Sequence, residues 1–139
     1  MHSQGVADEN FLRGVQVAGD DGSLQFTTVF PGCYDGRWPH IHFELYPTLD
    51  DALVASNPLA TSQIALPRNA CAVAYQADGY STSVTNLSHT SLESDMVFRD
   101  GYAAQLPTMS EDATPASARC SASASDPAPK PRHAAKTHR

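Results

Sequence analysis

The sequence has few cysteines and no long apolar segment. Cys33, Cys71 and Cys120 are widely spaced and form no CxxC pair, so we expect neither a zinc ribbon nor a disulfide scaffold, and a single Cys33–Cys71 disulfide stays open. No run of about 18 apolar residues exists, so no membrane-spanning segment is expected. Residues 1–10 lack the charged and then apolar pattern of an export signal, so the expected location is the cytoplasm.

Basic residues are scarce in most of the chain. Residues 1–112 carry four basic and fourteen acidic side chains, a net charge of −10, whereas residues 113–139 carry five basic and one acidic, a net charge of +4. The acidic part repels nucleic acid and anionic membranes, so neither is an expected partner. The full length of 139 residues suffices for one domain with a modest core.

Large apolar side chains are absent from residues 113–139. This segment contains no Val, Ile, Leu, Met or aromatic residue and consists mainly of Ala, Ser and Pro with scattered charge. Such a segment has little to bury, so we expect it to be disordered. We therefore divide the chain into a partial β domain, residues 1–112, and a basic tail. The tail is either a natural extension or the result of a reading-frame shift after about residue 109.

Segments of β type dominate the first third of the chain. Alternating or β-branched patterns predict strands over residues 11–17, 24–30 and 39–46, with a hairpin-type turn at Asp20-Asp21-Gly22. Later segments predict a short helix over residues 48–53, capped by Thr48, a second over 68–75, and strands over 82–87 and 96–98.

The strongest local motif is His40-Ile41-His42. In a strand, alternate residues share a face, so His40, His42 and Glu44 lie on one side and the intervening apolar residues on the other. Two imidazoles at this spacing can converge on one metal ion, and the alternative is a solvent-facing or hydrogen-bonded pair.

Two residues upstream add to this motif. Tyr34 precedes His40 by six positions and Arg37 by three. Two imidazoles and a phenolate suit a hard ion such as Fe(III) better than zinc, and copper or manganese stay open. The alternatives are that Tyr34 is a core aromatic residue and that Arg37 is a surface cation paired with Asp35.

The motif belongs to a longer ordered series. The series contains FLRG, DG, F-x-T, PG-x-Y and GR-x-x-HIHF, and it resembles the intradiol ring-cleavage dioxygenases related to catechol and protocatechuate dioxygenases. The similarity is dense over residues 8–47 and looser to about residue 109. The resemblance implies an antiparallel β-sandwich, here incomplete on its N-terminal side.

The family resemblance also implies chemistry. In that family two tyrosines and two histidines hold one Fe(III), and Tyr34, His40 and His42 match three of these ligands. Arg37 matches the arginine that stabilises negative charge on the substrate. Independently of the resemblance, Trp38 beside the motif is either a wall of the substrate pocket or a packing residue. The implied reaction opens a catechol-like ring with O2 to give a muconate-type diacid.

One ligand of the family has no counterpart in this sequence. The family's second tyrosine lies upstream of FLRG, and here no tyrosine precedes Tyr34. We expect the loss of an anionic ligand to weaken Fe(III) binding. The alternatives to an active dioxygenase are therefore an inactive truncated remnant and a β-sandwich binding module without redox chemistry.

Overall fold

A computed structural model of the chain describes residues 12–109, 118–123 and 134–138. The elements in chain order are β1 (Gly14–Val17), β2 (Ser23–Thr28), β3 (His40–Tyr46), α1 (Leu49–Val54), β4 (Ala60–Ala65), α2 (Arg68–Ala74), α3 (Ser81–Ser88), a 3₁₀ helix (Ala103–Gln105), β5 (Ala118–Ser123) and β6 (Ala134–His138).

The strands form two antiparallel sheets. One has four strands in the order β1-β6-β3-β4, and the other pairs β2 with β5. In the larger sheet β3 lies opposite β4 with His40 against Ala65 and His42 against Gln63. Strand β3 also pairs with β6 and is thus an inner strand with a neighbour on each side. This pairing fixes the face of the sheet that carries His40 and His42.

The described architecture is a small four-stranded antiparallel sheet and a two-stranded one, with a few short helices. The described residues do not make a chain that is clearly mostly β, and they do not form a clear sandwich. The structure therefore shows antiparallel sheets, and their arrangement as a sandwich stays a prediction. Within the described residues, no helix is long and apolar enough to cross a membrane.

Strands β5 and β6 lie in the segment for which we expected disorder. Strand β5 pairs with β2, and β6 lies between β1 and β3. Backbone pairing needs no large apolar side chain, so an Ala- and Ser-rich segment can pair with strands whose backbone groups would otherwise be unpaired. The other residues of the tail, 113–117, 124–133 and 139, lie outside the described residues.

Two sequence predictions of strands were wrong. Residues 82–87 lie within helix α3, and residues 96–98 lie in a series of turns. Thr82, Val84 and Thr85 favour strands intrinsically, but Ser83 and Leu87 are four residues apart and both are buried. Tertiary packing of one helical face therefore overrides the local propensity.

Several local predictions are confirmed. The strands over residues 24–30 and 39–46 correspond to β2 and β3, and residues 68–75 contain α2. Thr48 caps α1, since its side chain accepts a hydrogen bond from the Asp51 N–H. Gly22 in the first turn has φ of 78°, which glycine adopts without strain. The predicted hairpin is wrong, however, because the strands that this turn joins, β1 and β2, belong to different sheets. Strand β1 begins at Gly14, and Phe11 lies outside the described residues.

The core consists of two clusters of unequal size, on opposite ends of β3. The large cluster includes Trp38, Ile41 and Phe98, together with buried residues of β4, α2 and α3. The small cluster contains only two buried residues, Tyr46 and Ala52. The candidate site lies beside the large cluster.

Candidate metal centre

His40 is the first residue of β3 and is half-buried. Its ring Nδ1 lies 2.6 Å from the Trp38 carbonyl oxygen, so Nδ1 carries the proton and donates. The other ring nitrogen, Nε2, is then the one with a lone pair. Histidines that bind metals commonly donate their second ring N–H to a carbonyl in this way. The hydrogen bond to the backbone thus leaves Nε2 as the ring nitrogen that can accept a ligand.

The surroundings of His40 favour its neutral form. The pKa of His40 is lowered mainly by burial; the bond to the Trp38 carbonyl and the Asp95 charge raise it, and the Arg37 charge lowers it further. A neutral imidazole is the form that binds a metal ion.

Tyr34 lies beside His40. The two rings meet edge to face, with their centroids 6.2 Å apart and an interplanar angle of 85°. The side chain is 43% exposed, so Tyr34 is not the buried core aromatic that was the alternative prediction. Its hydroxyl has no hydrogen-bond partner in the part of the chain that the structure describes.

The other four tyrosines differ from Tyr34 in this respect. Each donates its hydroxyl hydrogen to an acceptor: Tyr46 to Glu44, Tyr75 to the Pro31 carbonyl, Tyr80 to the Phe30 carbonyl, and Tyr102 to Glu93. The hydroxyl groups of these four residues are therefore engaged within the protein. The uncommitted phenol is the one next to His40.

His42 follows on the same face of β3. Its Nε2 is 3.6 Å from a carboxylate oxygen of Glu44, and its side chain is 29% exposed. The pKa of His40 is also lowered by the proximity of His42. The structure therefore brings both predicted histidine ligands to one side of the strand, with Tyr34 at the His40 end.

Arg37 pairs with Asp95, not with Asp35. Its Nε donates to Asp95 Oδ2 at 2.9 Å, and its Nη2 donates to Gln63 Oε1 at 2.7 Å. Gln63 lies directly opposite His42 in the β3–β4 register. The guanidinium is therefore held beside the face that carries the histidines. The alternative of a surface cation is wrong, because the Arg37 side chain is only 18% exposed.

Asp95 is a residue that the sequence analysis did not single out. Its side chain is fully buried, and its carboxylate accepts four hydrogen bonds, from Arg37 Nε and the N–H groups of Trp38, Val97 and Phe98. Burial alone would raise the pKa of Asp95, but these bonds and the Arg37 charge lower it below its usual range. The local part of this arrangement, in which Asp95 accepts from the N–H groups two and three residues later, is typical of aspartates at the start of a turn.

Trp38 is buried and packs in the core. Its exposed fraction is 2%, and its indole Nε1 donates to the Leu66 carbonyl at 2.8 Å. It lines an open groove of about 350 Å³ together with Arg68, Glu93 and Tyr102. The Arg68 guanidinium stacks over the indole at 4.9 Å. Tyr34, His40 and His42 do not line this groove, so Trp38 contacts a different surface from the candidate ligands.

Cys33 and Cys71 are free, buried thiols. Burial raises the pKa of Cys33 to about 11 and that of Cys71 to about 12. Both groups are therefore protonated at neutral pH and are poor nucleophiles or metal ligands. The Cys33–Cys71 disulfide is not formed.

The donor set fits a hard trivalent ion. It combines an imidazole whose lone pair is fixed by a backbone acceptor, a second imidazole on the same face, and an uncommitted phenol. Among the described residues, no three His, Cys, Asp or Glu side chains form a group that could hold a metal ion. The candidate centre thus depends on the tyrosine oxygen as its third donor.

His89 caps the C-terminal end of α3 and is exposed to solvent.

Comparisons of the chain with models of protein families, with curated proteins and with solved structures found no match.

Proposed function

We propose that this protein is an Fe(III)-dependent intradiol ring-cleavage dioxygenase that opens catechol-type aromatics with O2. One observation carries the proposal: the only tyrosine without a hydroxyl partner in the described chain stands edge to face against His40, whose Nε2 is the free ring nitrogen. The ordered motifs of the sequence support the same family and, with it, a partial β-sandwich.

Three residues would hold the metal. Tyr34, His40 and His42 supply one phenol oxygen and two imidazole nitrogens from the turn before β3 and from one face of β3. Such a set suits Fe(III). When bound, Fe(III) supplies the redox chemistry that couples ring opening to O2.

Tyr34 is suited to exchange with a substrate. Its side chain is 43% exposed and its hydroxyl is bound to no described residue, so rotation out of the site breaks no protein hydrogen bond. If Tyr34 held the metal as a phenolate, its oxygen would be placed to accept one proton from a catechol hydroxyl on leaving. Because a neutral catechol would give this one proton to Tyr34 and bind as a monoanion, the exchange would leave the net charge at the site unchanged.

Arg37 provides the positive charge that an anionic substrate needs. Its guanidinium is mostly buried and fixed by Asp95 and Gln63, and such a preorganised cation stabilises developing negative charge better than water does. His40 also contacts the buried ring of Phe98, whose centroid lies 6.3 Å from that of His40.

Oxygen consumption tests the proposed function. The full chain, loaded with Fe(III) under air, should consume one O2 for each catechol and give a muconate-type diacid that contains both oxygen atoms. We expect His40→Ala to abolish this uptake, and the matched variant His89→Ala, at an exposed histidine outside the site, to retain it.

The same measurement can also contradict the proposed function. If the iron-loaded wild type consumes no oxygen with a panel of catechols, the dioxygenase proposal is wrong. The chain would then be an inactive remnant or a binding module of the same fold.

A further inference from the structure

The Arg37 guanidinium is fixed at two of its three nitrogens. Nε donates to Asp95 and Nη2 donates to Gln63, at 2.9 and 2.7 Å. Because the guanidinium is planar, two fixed nitrogens define both its position and its plane. The third nitrogen, Nη1, has no partner among the described residues, so both of its N–H groups are available to a ligand.

Asp95 is itself held by backbone groups. Oδ1 accepts from the Val97 and Phe98 N–H groups at 2.7 and 3.3 Å, and Oδ2 accepts from the Trp38 N–H at 2.7 Å. The carboxylate therefore has no freedom to rotate away from Arg37. It joins the segment around residue 95 to the turn before β3, across 58 positions of sequence.

We propose that Asp95 is a positioning residue, which fixes the Arg37 guanidinium so that Nη1 faces an anionic substrate beside His40 and His42. The inference rests on the proposed function, because it requires Arg37 to meet a catecholate. Asp95 does not touch the substrate itself. Its influence on binding passes through Arg37.

The first test uses the wild-type chain and requires no iron. Hydrogen exchange of the arginine Nε–H groups, followed by NMR, compares Arg37 with Arg99, whose side chain is 61% exposed and whose Nε is 3.9 Å from Asp100. We expect exchange at Arg37 to be at least about tenfold slower, because its Nε–H is bonded to a buried carboxylate. Equal rates would overturn the proposal.

The second test measures the affinity for catechol of the iron-loaded full chain, before oxygen is admitted. Asp95→Asn keeps the shape but removes the charge, and we expect it to weaken catechol binding by at least about tenfold. The matched control Asp100→Asn removes the same charge from an 89% exposed side chain and should leave the affinity unchanged.

A double-mutant cycle separates positioning from a structural role. In an Arg37→Met background, Asp95→Asn should have no further effect on the affinity for catechol, because the group through which it acts is gone. An equal loss with and without Arg37 would show that Asp95 acts on the fold alone and would overturn the proposal.

The two proposals can fail independently. If the iron-loaded wild type neither binds nor oxidises catechol, the proposed function fails. The exchange rates of Arg37 and Arg99 in the iron-free chain still decide whether Asp95 fixes the guanidinium.

Discussion

The two ends of strand β3 differ in how they are held. At the His40 end the strand follows the buried residues Trp38 and Pro39 and adjoins the large core cluster. At the Tyr46 end it packs on α1, and the cluster there has two buried residues. Helix α1 leaves large apolar side chains in solvent, with Leu53 63% and Val54 73% exposed.

This difference in packing indicates which end of β3 can hold functional side chains in a fixed geometry. A side chain holds its geometry only when its neighbours cannot move, and the Arg37–Asp95 pair and the His40–Trp38 bond both lie at the densely packed end. We therefore expect substitutions at the His40 end to be costly and matched substitutions at the Tyr46 end to be mild.

The largest effect is expected from Asp95→Ala. The change leaves the mostly buried Arg37 charge unpaired and removes the acceptor of three backbone N–H groups. We expect a loss of about 3–5 kcal/mol in the free energy of unfolding, measured by urea denaturation. Asp100→Ala, at an exposed position, should stay within about 0.5 kcal/mol of the wild type. A loss below about 1 kcal/mol for Asp95→Ala would contradict the expectation that substitutions at the His40 end of β3 are costly.

A pH dependence should follow from the same carboxylate. The pKa of Asp95 is lowered in the folded state from the ordinary value of 3.8. Its ionised form therefore stabilises the fold above pH 3.8, and this contribution is lost as the pH falls through the lowered folded-state value. The stability advantage of the wild type over Asp95→Asn, from urea denaturation, should be full at pH 6 and smaller at pH 3. An advantage that is the same at both values would contradict this assignment.

Removal of one tyrosine hydroxyl from each core cluster compares the stability of the two ends directly, with Tyr75 in the large cluster and Tyr46 in the small one. Tyr75→Phe removes a hydroxyl that donates to the buried Pro31 carbonyl at 2.9 Å, so a buried acceptor loses its partner and we expect a cost of about 1–3 kcal/mol. Tyr46→Phe removes the donor to Glu44, whose side chain is 21% exposed and can be hydrated instead, so we expect about 1 kcal/mol or less. Thermal and urea unfolding of both variants would test this order, and the reverse order would contradict it.

The smallest effects are expected on α1. Thr48→Ala removes the side chain that caps the helix at the Asp51 N–H and should cost about 1 kcal/mol. Leu53→Gln changes a side chain that is 63% exposed and should change stability by less than about 0.5 kcal/mol. A large loss for Leu53→Gln in urea denaturation would show that this apolar surface is covered in solution.

Local patterns predicted much of the sheet and the short helices. The alternation in residues 39–46 located β3 and the shared face of His40 and His42, and Thr48 indicated the start of α1. These features depend on near neighbours in the sequence. Strand β4 was missed because ATSQIA has little apolar alternation and is defined by its pairing with β3.

The supports of the candidate site could not be predicted from local patterns. The Arg37–Asp95 pair spans 58 positions and the Arg37–Gln63 bond spans 26. Such contacts arise from tertiary folding, as does the helical state of α3, where Ser83 and Asn86 bond to the backbone of Cys33. The sequence indicated which residues could act, and the fold shows what holds them.

Visible absorption of the protein titrated with Fe(III) under air tests the central claim most directly. A tyrosinate bound to Fe(III) gives a charge-transfer band, so the wild type should become coloured. Tyr34→Phe should abolish the band, and Tyr102→Phe, which removes a hydroxyl bonded to Glu93, should retain it. A colourless, iron-free wild type, or a band that survives Tyr34→Phe unchanged, would contradict the assignment of Tyr34 as a ligand.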